Sequence, residues 1–144
     1  MDQSAHLIRR AAAEDSDVVL SLAQALATTF ELRLHSFRET FIRLTSNHDA
    51  RILVAESEQG IIDRYLLGFT HDALFANGAV GWIEEMYVSE LVRRSGVGSA
   101  LEGAFEEWAQ SRGAILISLA TRRAAPFCLA LDFEESASYF RKLH

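Results

Sequence analysis

The chain has 144 residues, 49% of them hydrophobic, a single cysteine and a formal net charge of -6. One cysteine excludes an internal disulfide framework and a cysteine-built zinc cluster, and the acidic balance argues against nucleic acid, which wants a basic face. No run approaches the ~20 apolar residues that span a bilayer, and MDQSAHLIRRA at the N-terminus has no signal-peptide core, so one cytoplasmic domain with a sizeable core, off the membrane, is expected over 1–144.

His6 to Arg10 reads as a first strand. Asp15 or Ser16 can cap a helix whose apolar positions Val19, Leu22, Ala23, Leu26 and Ala27 recur at helical spacing. Ser36-Phe37-Arg38-Glu39 has the form of a capping box, so a second helix should turn Phe37, Phe41 and Leu44 inward. RILVAES and YLLGFTHDALF have strand character, and Asn77-Gly78 should join the latter to AVGWIEEMYV in a hairpin. Val97, Ala100, Leu101, Ala104, Phe105, Trp108 and Ala109 form one face of a third helix, with Gly113 placed to end it. ILISLA follows as an apolar run without alternation, the pattern of a strand buried on both faces. Strand, helix and strand in this order make a right-handed crossover between parallel strands. A short helix around Phe127 to Leu131 and a last strand, SASYFRKL, complete an α/β (α+β) fold: a mixed, twisted sheet of about six to seven strands, flanked by about four helices.

The start of the third helix, VRRSGVGSALEG, carries the strongest chemical signal. A helix N-terminus exposes unpaired N–H groups and the positive end of its dipole. Glycines let an anion approach that backbone, and arginines add charge, so Arg93-x-x-Gly96-x-Gly98 reads as a phosphate or pyrophosphate cradle. Taken alone, the two glycines serve a tight strand-to-helix turn as well. The dinucleotide fingerprint fails because position 101 is Leu, and the P-loop fails because Ala104-Phe105 stand where Lys-Ser/Thr must be.

IEEMYVSELVRRSGVGSALEGAFEEWAQSRGA resembles the acetyl-CoA-binding motif of the GNAT superfamily of N-acetyltransferases, and the order of elements around it is similar to that family over nearly the whole chain. The resemblance implies that backbone N–H groups of Arg94, Ser95, Gly96, Val97, Gly98 and Ser99 hold the CoA pyrophosphate, with charge from Arg93 and Arg94. It implies that Met86 and Val88 hydrogen-bond the pantetheine arm where two parallel strands splay, and that an N–H near Tyr87 polarises the acetyl carbonyl. No metal is implied, and a homodimer through the C-terminal strands is compatible with it. A rival reading is a CoA-binding sensor or interaction module with reduced catalysis.

Amine acetylation by direct attack needs a base to free the amine and a proton for the departing thiolate. Alternation sends Glu84 and Glu85 to opposite faces; the resemblance favours Glu85 as the base, then Glu84, with His71 as runner-up because its ordinary pKa lies near neutrality. Relatives carry Phe-Tyr where this chain has Phe127-Cys128, and a Gly-aromatic pair where it has Asp132-Phe133. The proton donor is therefore open between Cys128, Tyr139 and water. The acceptor pocket implied by the resemblance draws on Phe30, Leu34, His35, Phe37, His71, Asp72 and Phe75. Asp72 and the acidic surface suit a small cationic amine, while a lysine or a protein N-terminus stays open.

Overall fold

The computed structural model describes residues 6–27, 29–88, 97–121 and 125–144. The elements run β1 (Leu7–Arg10), α1 (Ser16–Leu26), α2 (Leu34–Thr45), β2 (Ala50–Glu56), β3 (Ile62–Ala73), β4 (Gly78–Val88), α3 (Val97–Ser111), β5 (Ile117–Leu119) and α4 (Ala125–Ala130). The sheet has the order β1-β2-β3-β4-β5, antiparallel from β1 to β4. The last pair, β4 with β5, is parallel and joined by the α3 crossover.

Two apolar clusters hold the helices to opposite faces of the sheet. On one face Val19 and Ala23 of α1 and Phe41 of α2 pack on Ile52, Val54, Tyr65 and Leu67. On the other, Leu101, Phe105 and Ala109 of α3 pack on Leu53, Leu66 and Ile83. The i, i+4 spacing of those three α3 residues is the stripe read in the sequence. Glycine makes this contact close. A Cβ on Gly68 would overlap the Phe105 ring, and one on Gly81 would stand 2.6 Å from Ile117 Cδ1.

The ends of α3 and α4 are closed alike. Gly113, at φ +88°, lets Ala114 N–H donate to Ala109 C=O at 3.0 Å and Gly113 N–H donate to Gln110 C=O at 2.9 Å, a paired closure of the last carbonyls. In α4, Asp132 takes the same left-handed place at φ 69°, and Phe133 N–H donates to Cys128 C=O at 3.1 Å. A carboxylate residue tolerates this conformation better than most, so Asp132 can close α4 without a glycine.

Several expectations are corrected. Asp15 does not cap α1 with its side chain: both of its oxygens accept from Arg9, and one also accepts from Ala12 N–H at 2.7 Å. Helix α2 begins at Leu34, so Ser36 lies within its first turn and no capping box forms. The hairpin is as expected, with Asn77 at φ 59°, but a 3-10 turn over Leu74–Ala76 widens it. β5 is half-buried rather than buried on both faces. The expected strand over SASYFRKL does not form: residues 133–144 have no helix or strand, and the sheet of described residues has five strands. The reason lies in the tail's side chains. Tyr139 stacks on Trp82 (6.4 Å between centroids, 20° between planes) and Arg141 reaches Thr29, so the tail is drawn across the sheet face rather than along β5.

Candidate active site

Strand β4 carries one more residue than β3 opposite it. Leu67 pairs with Glu85 but Gly68 pairs with Ile83, so Glu84 faces no partner. Such a bulge bends the strand and increases its twist. It also breaks the alternation that would send Glu84 and Glu85 to opposite faces. Ile83 packs on the α3 side, whereas Glu85 stands opposite Leu67 on the α1–α2 side. Glu84 leans back to Trp82, accepting from its Nε1–H at 3.0 Å, and is exposed. The bulge falls where the β4–β5 pairing ends: β5 covers only Gly81 to Ile83, and β4 runs on to Val88.

Glu85 lies in the wall of a cavity of about 610 Å³ between the sheet and the α1–α2 layer. Val19, Ala23, Phe37, Phe41, Ile52, Tyr65 and Leu67 supply an apolar interior; Phe30, Glu31, Arg33 and Arg141 add to its lining. The Tyr65 hydroxyl donates to Glu85 Oε1 at 2.7 Å. Burial pushes the Glu85 carboxyl above the ordinary carboxylate range, the Tyr65 bond opposes this, and the nearby Glu84 charge adds to it. Burial, with the adjacent carboxylate, pushes the Tyr65 hydroxyl far up, so it stays a donor. The pair is thus a carboxyl whose proton affinity is raised by burial, held in place by a hydroxyl that keeps its own proton. A smaller cavity of about 220 Å³ lies beside Ala13, Asp17, Arg38 and Ile42. There Arg38 is committed to Asp17 at 2.9 and 2.7 Å, and the Glu14 carboxylate in its lining is exposed to solvent.

The other expected residues are dispersed. Phe30 and Phe37 line the cavity, and Phe37 stacks on Phe41 at 6.0 Å between centroids. Leu34 and His35 belong to the exposed side of α2, where His35 Nε2 is 3.4 Å from Glu39. His71 is exposed and shares the β3 face of Leu67, but four residues along a strand is roughly 13 Å. Asp72 and Phe75 are exposed at the hairpin end, away from the cavity. Cys128 is half-buried in α4 with its thiol pushed up by burial, so it remains protonated at neutral pH. Tyr139 is exposed over Trp82. Met86 and Tyr87 are half-buried; Arg93, Arg94, Ser95 and Gly96 lie outside the described residues, as does the side chain of Val97. Gly98 and the exposed Ser99 stand in the first turn of α3.

Tyr65, Arg33 and Arg141 were missed by sequence reasoning. Pairing β3 and β4 outward from Asn77-Gly78 alone would set Thr70 opposite Glu85; the 3-10 turn over Leu74–Ala76 and the bulge at Glu84 shift the register and set Leu67 there instead, with Tyr65 two residues along and bonded to Glu85. Nothing local marks the two arginines, because α2's start and the tail meet only in the fold.

The family model described as the acetyltransferase (GNAT) family matches residues 19–133. No curated protein sequence matches the chain. Among solved structures, glucosamine-6-phosphate N-acetyltransferase from Arabidopsis thaliana superposes with a TM-score of 0.85 at 20% identity, over 96% of this chain and 98% of that one. An acetyltransferase from Trypanosoma brucei gives 0.82 at 21% identity, over 97% and 100%. An aminoglycoside N-acetyltransferase in complex with CoA gives 0.84 at 18% identity, over 98% and 97%. The family match covers most of the chain, and the mixed sheet, with β4 and β5 parallel, agrees with it: the protein belongs to the GNAT acetyltransferase family.

Proposed function

We propose that the protein transfers an acetyl group from acetyl-CoA to the primary amine of a small molecule, by direct attack with both substrates bound, and that Glu85 is the general base. The observation that carries this reading is the Glu85–Tyr65 pair in the wall of a largely apolar cavity, beside the point where β4 and β5 cease to pair. The place fits the donor: an extended arm can run along β4 beyond Ile83, with backbone groups of Met86, Tyr87 and Val88 beside it and the start of α3 beyond. Arg93 to Ser99 would hold the pyrophosphate. Acetyl-CoA supplies an activated acyl group whose leaving thiolate needs one proton.

The protein's own residues handle the rest. An amine enters the cavity as its cation, and the Glu85 carboxylate accepts one proton, directly or through a water. A carboxyl raised by burial is a stronger base than an ordinary one, and the Tyr65 bond favours its ionised form. The proton for the thiolate comes from Tyr139, Cys128 or water; the raised Cys128 thiol has one to give.

Glu85→Gln keeps the shape and removes the base. It should lower kcat by about 10²–10⁴-fold while thermal stabilisation by acetyl-CoA persists. Full activity in Glu85→Gln would reject the assignment. Stabilisation by acetyl-CoA with no transfer to any amine would reject the enzyme and leave an acyl-CoA sensor.

A further inference from the structure

Resting on the acetyl-transfer reading, we propose that the acceptor is an amine whose far end carries an anionic group, a carboxylate or a phosphate, gripped by Arg33 and Arg141. Four charged residues line the cavity: Glu31, Arg33, Glu85 and Arg141. Glu85 is on the sheet side, bonded to Tyr65. Arg33 immediately precedes α2, and Arg141 comes from the C-terminal tail, so both guanidiniums belong to the wall built by helices and tail.

Neither guanidinium has a carboxylate partner among the described residues. Arg141 makes only long contacts, 3.4 Å from each terminal nitrogen to the neutral Thr29 hydroxyl. Arg38, one turn into the same helix, is held by both oxygens of Asp17, and Arg9 is held by Asp15 and Glu56. Arg10, Arg43 and Arg51 also lack a carboxylate, but they do not line the cavity. Two guanidiniums with no bonded carboxylate thus line one chamber, where Glu85 is held by Tyr65 and Glu31 bonds neither arginine, and guanidinium forks match the planar edge of a carboxylate or the oxygens of a phosphate. Asp72, on which a polycationic acceptor was expected, is away from this chamber. A polyamine or aminoglycoside would press its extra charges against Arg33 and Arg141. An amine with an anionic far end presents its nitrogen to Glu85 and its charge to the arginines.

The test uses matched amines with saturating acetyl-CoA, following release of the CoA thiol. The pairs are γ-aminobutyrate against its amide and O-phosphoethanolamine against ethanolamine; spermidine and kanamycin form a cationic arm. The anionic member of at least one pair should win by about tenfold or more in kcat/KM, and the responding pair identifies carboxylate or phosphate. Arg33→Ala and Arg141→Ala should each bring that ratio toward one, whereas Lys142→Ala, on the same tail but outside the lining, should leave it unchanged. Equal use of both members of each pair, or a preference indifferent to both arginine variants, overturns the inference while acetyl transfer stands. Failure of the transfer reading looks different: no CoA release with any amine, the cationic arm included, and both fall together.

Discussion

Removing the Tyr65 hydroxyl tests whether Glu85 works as a base tuned by its neighbour. Tyr65→Phe keeps the ring, which packs with Val54, Ile52 and Leu67, and deletes only the O–H that donates to Glu85 Oε1 at 2.7 Å. That bond favours the ionised carboxylate, against burial and against the Glu84 charge, both of which favour the neutral acid. A hydrogen bond to a charged group is worth about 1.5–3 kcal/mol. At about 1.4 kcal/mol per pH unit, its loss should raise the Glu85 pKa further, by roughly one to two units. The assay is kcat/KM against pH with one amine in both proteins, so that the amine's own titration cancels. The acid limb should move up by about one to two units, with the rate recovering on the alkaline side. An acid limb that stays put, or moves down, refutes the reasoning: the titrating group would not be Glu85, or Tyr65 would not hold its charged form.

Two further outcomes follow from packing and from a second carboxyl. Gly68→Ala puts a methyl into the Phe105 ring; overpacking of this kind costs about 1–3 kcal/mol, a fall of several degrees in Tm, and Phe105→Leu should recover part of it, whereas additive losses would mean no contact. Glu102 is buried in α3, one of its oxygens lacks a partner, and burial together with Glu106 pushes its pKa up to about 8. Between the ordinary carboxylate range and about 8, the folded protein keeps a proton that the unfolded chain has lost, so this group's contribution to stability falls as pH rises through that window. Glu102→Gln, whose amide donates to Glu106 as the acid does, should match the parent in Tm at about pH 4 and exceed it at about pH 8; a pH-independent difference would contradict this.

The features legible in the chain were those set by local periodicity and turn chemistry. The α3 stripe ending at Gly113 and the Asn77-Gly78 hairpin needed only the 3.6 and 2.0 periods and residues that accept positive φ. Features that failed depend on distant competition. Ser36-Phe37-Arg38-Glu39 spells a helix start, yet α2 begins earlier, at Leu34, where Leu32 and Phe37 pack against the first core. SASYFRKL has strand composition, but β-propensity reflects whatever surface is available, and here Trp82 and Thr29 take its side chains. In the candidate site, Glu85 was singled out by the family resemblance, whereas Arg33 and Arg141 share a cavity wall that no short window contains.

The unpartnered Glu84 has a consequence for parity along β4. Before it, the odd-numbered residues Gly81 and Ile83 face α3; after it, odd-numbered Glu85 and Tyr87 face the opposite layer, and even-numbered Met86 takes the α3 side. One strand therefore serves the α3 packing surface with its first half and the wall of the cavity with its second. The switch between them is a single uncounted position. Losing one residue between Gly78 and Ile83 would carry this inversion away from the end of β5, setting a carboxylate against Phe105 or an apolar side chain before Tyr65. In that stretch Ile117 fixes the residue at Gly81, and the inversion at Glu84 fixes how many residues precede it.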